Sequence, residues 1–307
     1  MIRRRCQVAA LIETTEGEAI ALAAADVVCN TYEAGYDPDI KYFRRDPSRA
    51  TLSPKAGRIG QRASKISFKV DLHGSGAKGT APSYGKLLKA CGFTETVAAS
   101  TSVTYTPASA SIPCLTMALY LDGICKKIRG ARGTVKFTHK VGEPVMMEFE
   151  FTGVLDSIAT VAMLTSVSEA TTIPPAFLNA SLTLDNYATV ISALTIDIAN
   201  EIALRDDANG ADGYKSAVIT KRDPKGSIDP EMVPIATYDF LTKLKADTKM
   251  AFTETLGSVD GNKFVITAPE VQYTGMKDAD RNGIDVASME LAFNGNSGDD
   301  EISIQQL

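Results

Sequence analysis

The residues best placed to do chemistry begin with Gly74-Ser75-Gly76-Ala77-Lys78-Gly79, a GxGxxG string that follows an apolar strand pattern. Such glycines let the backbone approach a pyrophosphate where a helix begins. Here the helix pattern opens only after Pro82, no strand–helix–strand succession follows, and Thr80 and Ala81 stand where a P-loop needs Lys and Ser or Thr. A strand-to-helix loop is the better reading. The two histidines, His73 and His139, sit at strand ends beside glycine or lysine, as solvated turn residues do. Neither is accompanied by a GxSxG elbow, and two imidazoles are too few for a catalytic zinc. Asp278, Asp280, Asn282 and Gly283 imitate the start of a calcium loop, but Met289 falls where the bidentate carboxylate belongs and Glu290 comes one residue late. Asp, Asn and Gly are also what a tight turn between strands uses. Glu148 and Glu150, two apart on a strand, fit the polar face of a sheet better than an acid/base couple. The five cysteines (Cys6, Cys29, Cys91, Cys114, Cys125) are odd in number and form no CxxC, so reduced thiols are expected, with Cys91 and Cys114 as small buried apolar residues. The chain has no tryptophan, which weakens any sugar-stacking reading. No enzyme, metal site or cofactor is expected.

The elements that would position these residues are mostly strands. Ile66, Phe68, Val70 and Leu72 alternate with Ser67, Lys69 and Asp71, and Leu115, Met117, Leu119 and Leu121 repeat the pattern. Further alternating runs cover Val135 and Phe137, Met147 to Phe151, Leu194 to Ile198, Phe264 and Ile266, and Met289 to Phe293. Period two buries one set of side chains and turns the other to solvent. Clusters at Gly142 to Pro144, Asp206 to Gly213, Asp260 to Asn262 and Asp278 to Gly283 separate the runs as turns. Two helices stand out. One carries Tyr84, Leu87, Leu88 and Cys91 on one face, with Ser83 as N-cap and Gly92 as stop; the other carries Phe240, Leu241 and Leu244, with Thr237 as cap. The alanine-rich stretch Gly17 to Val28 is a third helix candidate.

At 307 residues the chain suggests two domains of about 150 residues each. Met147 to Gly153 reads like Met289 to Gly295, and the helix near Leu87 has its counterpart near Leu241. The strands before those helices, Phe68 to Leu72 and Ala217 to Thr220, keep a similar offset. Three matches in one order point to a duplicated unit, with a boundary in the Ser/Thr/Pro-rich stretch between Thr165 and Pro175. The expected domains are 1–165 and 175–307. The balance of 32 basic against 37 acidic residues, net −5, argues against a protein that grips nucleic acid and suits a surface that nucleic acid slides past. Glu13, Glu16, Glu18 and Asp26 interrupt the apolar start, so no signal peptide is expected. No window reaches the roughly 18 apolar residues of a spanning helix, so a soluble chain is expected.

Tyr36 to Lys65 is long, poor in apolar residues, and carries Arg44, Arg45, Arg49, Arg58 and Arg62; it reads as a functional loop or arm. Asp299, Asp300 and Glu301 make an acidic end. A basic loop and an acidic end on one chain invite head-to-tail docking between copies.

The strings LSPKAGRIGQRASKISFKVDLHGSG, APSYGKLLKACGF, GARGTVKF and VMMEFEFTG resemble the first half of tail tube (major tail) proteins of long-tailed phages and prophages. LNASLTLDNYATVISALTIDIAN, GYKSAVITKRDPKGSIDPE and the ending from Asn296 to Glu301 are similar to the second half. The resemblance implies a mainly β fold: two tandem β-sandwich or barrel domains, each with a flanking helix, and an arm at 36–65 that reaches the adjacent ring. Two tube domains per chain imply trimeric, pseudo-hexameric rings, with a hexamer as the alternative, and suggest a non-contractile tail. The sheets of neighbouring subunits would merge into a barrel lining the channel. Twenty-four strands about 4.8 Å apart and tilted by about 45° would make a barrel roughly 50 Å across at the backbone, wide enough for a DNA duplex. On that reading Lys69, Asp71, Glu148, Glu150, Asp197 and Glu290 line the channel, where a net negative wall would keep DNA mobile. The implied partners are further copies of the chain, the tape measure protein, and tail terminator and distal tail proteins. Assembly would take place in the bacterial cytoplasm and end in the virion tail, with DNA passing through unbound during ejection. The alternative is a β-sandwich host-binding or decoration protein of a phage.

Overall fold

The computed structural model describes residues 2–307. Its first half holds β1 (Cys6–Ile12), β2 (Thr31–Arg45), β3 (Lys55–Asp71), α1 (Gly85–Ala90), β4 (Phe93–Ala98), β5 (Ser102–Pro107), β6 (Leu115–Leu121), β7 (Ile124–Lys140) and β8 (Met146–Thr160). The second holds β9 (Thr183–Leu184), β10 (Ala193–Asp197), β11 (Glu201–Asp206), β12 (Tyr214–Lys221), β13 (Lys225–Ile228), α2 (Phe240–Lys245), β14 (Met250–Leu256), β15 (Phe264–Arg281), β16 (Ile284–Asn294) and β17 (Ser303–Gln306). The fold is mainly β, with an extensive antiparallel sheet.

Hydrogen bonding runs through β2-β3-β8-β7-β10-β13-β16-β15 and continues into β17, β5 and β4. β6 and then β1 branch from β7; β14 and then β9 branch from β15; β11 and β12 form a separate ribbon. One order of pairing therefore occurs in each half: β2-β3-β8-β7-β6-β1, and β10-β13-β16-β15-β14-β9. The bond between β7 and β10 joins them.

Alternation explains the strands. In β3, Ile66, Phe68 and Val70 are buried while Ser67 and Lys69 face the other way, and the register sets Phe68 opposite Phe149 of β8 with ring centroids 5.6 Å apart. β7 serves two different strands along one edge. β8 takes its other edge, so β6 (opposite Ile124 to Ala131) and β10 (opposite Lys136 to Lys140) must share this one. The change-over follows an irregularity between Arg129 and Arg132, where Gly130 has φ +58° and a Cβ would lie 2.9 Å from the Ser216 backbone. A bulge of this kind bends a strand and re-aims its edge. β15 has a similar break between Tyr273 and Gly275. The buried residues form one main cluster drawn from both halves, including Leu87 and Leu88 of α1, Phe137, Phe151, Phe252 and Phe293.

Three expectations change. The stretch Gly17 to Val28 forms only a 3-10 turn at Ala24–Asp26, because Val27 and Val28 run extended against β1 and Val28 N–H bonds Val8 O. The helix caps shift: α1 starts after Tyr84 without a side-chain cap, and Asp239, not Thr237, caps α2 by accepting from Thr242 N at 2.8 Å. The 36–65 segment is no irregular loop. It is the outer part of a β2–β3 ribbon paired from Thr31↔Val70 to Arg45↔Lys55.

Candidate functional site

The registers gather the six candidate channel residues on one face of the sheet. Residues directly opposite one another share a face. Across five strands Lys69 stands opposite Glu148, Glu148 opposite Lys136, Lys136 opposite Asp197, and Asp197 opposite Lys225. The next row on that face runs Asp71, Met146, Thr138, Thr195, Ser227 and Glu290. Glu150 lies in the row on the other side of the first, opposite Ser67 and Thr134. The residues between these rows, such as Phe137, Met147 and Ile196, point into the core.

This face is mixed in sign: beside Lys69, which sequence reading named, the register sets Lys136 and Lys225, which it did not. Lys69 Nζ lies 2.9 Å from Glu33 and 3.5 Å from Glu148, and those carboxylates raise its pKa, the Glu33 hydrogen bond first. Lys65 Nζ lies 2.6 Å from Glu150. Lysines thus stand between the carboxylates of this face. Period two could have flagged Lys136 and Lys225 as polar-face residues, but only the register shows that they stand beside Glu148 and Asp197. Asp71 differs from the other five. It is buried, and it accepts from Asn30 Nδ2, from Tyr32 OH at 3.2 Å and from the His73 ring at 2.7 Å.

Of the ribbon arginines, Arg44, Arg45, Arg49 and Arg58 are exposed, while Arg62 at the ribbon's base binds Asp212 at 3.3 Å and Ala211 O at 3.1 Å. The acidic end is engaged within the chain. Asp299 accepts from Ser109 and from Arg222 at 2.8 Å, which hold its carboxyl below the ordinary range. Glu301 accepts from Arg222 Nε at 2.6 Å, and Asp300 accepts from Asn296 and Ser297 N–H in the turn before β17.

The motifs weighed for chemistry have structural roles. The glycine-rich loop clasps the two halves: Gly76 N–H donates to Gly261 O at 3.2 Å, and a Cβ on Gly74 would sit 1.9 Å from that oxygen. Both histidines are buried, not solvated. His73 is tied to Asp71; His139, in β7, bonds Leu194 O through Nδ1 at 3.2 Å and sets Nε2 3.4 Å from Oε2 of Glu254 in β14. Asp280 accepts from Gly283 N–H and closes the β15–β16 turn. The five thiols are free, and burial pushes Cys114 up to about 12, with Glu13 beside it adding to the shift. Sequence reading also missed Glu13, a buried carboxylate that receives Gly17 N, Cys114 Sγ, Thr116 Oγ1 and Gly130 N at 2.6 to 3.0 Å. Among the described residues no group of three or more His, Cys, Asp and Glu is arranged to hold a metal, and no helix is long and apolar enough to cross a membrane.

None of the curated proteins compared with the chain matches it. The family model for phage tail tube proteins, by contrast, matches residues 3–303, nearly its whole length, and the chain belongs to that family.

Proposed function

We propose that the chain is the repeating unit of the tube itself: copies close into rings, the rings stack, and the bore conveys DNA during ejection. The observation that carries this reading is the sheet face bearing Lys69, Glu148, Lys136, Asp197 and Lys225. It spans strands of both halves, its opposite side is core, and it is polar but for Met146 and Ala292. A wall of alternating lysines and carboxylates suits a conduit. Lys65 and Lys69 are ion-paired with Glu150, Glu33 and Glu148, and Lys136 and Lys225 stand opposite Glu148 and Asp197, so few phosphate counterions would be displaced and the duplex would find no place to hold. Glu150 and Glu290 extend the same wall, and Asp71 anchors its margin. The basic ribbon with Arg44, Arg45, Arg49 and Arg58 is the stacking element in this reading, because it projects exposed apolar side chains, Tyr42 and Phe43, together with its charges. Three chains per ring, a non-contractile tail, and contacts with tape measure and terminator proteins complete the proposal. Negative-stain images of concentrated purified protein test it. Hollow tubes with a regular axial repeat are the expected result. Stable monomers or trimers that bind cells or glycans would overturn it in favour of a decoration protein.

A further inference from the structure

Among the open edges of the sheet are those of β2 and of the second half of β15. β3 takes one edge of β2 from Thr31 to Arg45, and among the described residues no strand takes the other. β16 takes one edge of β15 from Glu270 to Arg281, while β14 covers the opposite edge only from Phe264 to Val271. Residues 272–281 of that second edge are unpaired among the described residues, and 277–280 are exposed. A long bare edge is a template for another chain, and native proteins leave one open only at some risk of aggregation.

The junction inside the molecule identifies the partner. In the pairing order of the two halves, β7 corresponds to β15 and β2 to β10. The edge of β7 beyond β6 is filled by β10; the same edge of β15 beyond β14 is empty, and so is the outer edge of β2. We propose that β2 of one copy fills the β15 edge of the next, antiparallel, and so repeats between chains the bond that β10 makes with β7 within one. This rests on the tube reading above and adds the pair of edges and their register.

The register follows from the shared strands. Met147 of β8 pairs with Phe137 and Val70; Met289 of β16 pairs with Met276 and Ile228. Phe137 therefore corresponds to Met276, His139 to Asp278, and Val70 to Ile228. Thr31 pairs with Val70 as Leu194 pairs with Ile228, so Thr31 stands for Leu194. Leu194 lies opposite His139 inside the chain, which sets Thr31 opposite Asp278 between copies. Tyr32 then meets Lys277 on the polar face, a phenol ring beside an ammonium. Side chains at the internal seam are already sealed, with Phe137, His139, Leu194 and Ile196 fully buried. Their counterparts Met276, Thr31 and Ala34 are only half-buried, as an incomplete seam requires.

Charge favours this head-to-tail match over pairing of like edges. A groove of about 620 Å³ beside β2 is lined by Arg3 and Arg4 together with Thr31 to Ala34, and the open β15 edge carries Asp278 and Asp280. Glu33 and Lys277 also lie on these edges, but only β2 on β15 can bring Arg3 and Arg4 near Asp278 and Asp280. Such a contact makes a ring when its rotation closes. Eight strands lie on the path from β2 to β15, so three copies supply the twenty-four that a duplex-wide barrel requires.

The test is a cross-link made in the full chain under assembly conditions. The double variant Thr31→Cys/Asp278→Cys is expected to convert most of the protein, on mild oxidation, to reducible dimers and a closed trimer. Thr31→Cys/Lys277→Cys, whose side chains would point to opposite faces, should give less than a tenth as much. The single variants set the background from the half-buried Cys6 and Cys29. Visible tubes with no cross-link, or with equal cross-linking of the two pairs, overturn the register and leave the tube reading standing; wild-type protein that stays monomeric at every concentration overturns both. Hydrogen exchange on the unmodified protein decides the matter if a variant fails to fold. Assembly should slow exchange at 31–35 and 275–279 at least tenfold, and unchanged exchange at both edges would refute the junction.

Discussion

His139 and Glu254 show how burial turns two ordinary titrating groups into a stability switch. His139 donates Nδ1–H to Leu194 O, which leaves the bare Nε2 facing Glu254. Both side chains are fully buried, and desolvation pushes the imidazole down to about 4 and the carboxyl up to about 8, so the pair is neutral near pH 7. Folded Glu254 keeps a proton that the unfolded chain releases above its ordinary 4.5, so its contribution to stability falls as pH rises from about 4.5 to about 8. His139 acts the other way: the unfolded chain takes up a proton below 6.5 that the folded one refuses down to about 4. The two slopes oppose between 4.5 and 6.5, and above 6.5 only the carboxyl term remains. At about 1.4 kcal/mol per pH unit, that term removes roughly 2 kcal/mol between pH 6.5 and 8. Glu254→Gln should abolish this loss, read as urea midpoints at the two pH values; parallel pH curves for the variant and the wild type would refute the assignment. Glu13 is a simpler case, since its removal strands four donors in the interior. Glu13→Ala should cost about 2–4 kcal/mol by denaturant unfolding, and Glu13→Gln less. Neither environment was legible beforehand. The neighbours Gly74 and Lys140 correctly mark His73 and His139 as strand ends, but burial comes from Tyr84 and Glu254, which only the fold brings near.

At the scale of elements, legibility followed burial of one face. β3, β8 and β16 announce themselves because Phe68, Phe149 and Leu291 alternate with charged residues, and the same alternation foretold which side chains would share the polar face. The ribbon beyond Tyr36 did not, because it buries neither face and period two therefore has nothing to record. β10 was visible through Leu194 and Ile196, yet its partner β7 was not, since strand pairing across a linker leaves no mark in either segment. The ribbon's independence from the core makes a prediction. Tyr42, Phe43 and Ile59 are 62%, 57% and 51% exposed, so replacing residues 41–59 by a short turn removes little buried surface. The thermal midpoint should move by only a few degrees, while the stacking role given to the ribbon requires that tubes disappear from electron micrographs and rings persist. Tubes of ordinary length from the shortened chain would move stacking to another surface.

At the scale of the whole molecule, the two halves that the sequence separates at 165–175 are held by more than a linker. β10 bonds β7, β17 at the C-terminal end inserts between β15 and β5, and Gly74 N–H donates to Asn262 at 2.8 Å. The main core cluster runs through both halves without a break. A fragment of residues 1–165 would expose the edge of β7 from Lys136 to Lys140 and strip Phe137 and His139 of their cover, while β5 would lose its partner β17. Bare edges next to uncovered aromatic side chains aggregate. The intact chain should therefore unfold in one cooperative transition, with fluorescence and circular dichroism midpoints coinciding, and the fragment should be insoluble or unfolded. Two separated transitions, or a folded and soluble 1–165, would mean that each half holds a self-sufficient core. The β7–β10 bond would then be a docking contact between finished units, the same kind of contact proposed between copies. One transition would instead make the seam part of the fold, and the junction between chains a completion of the same sheet.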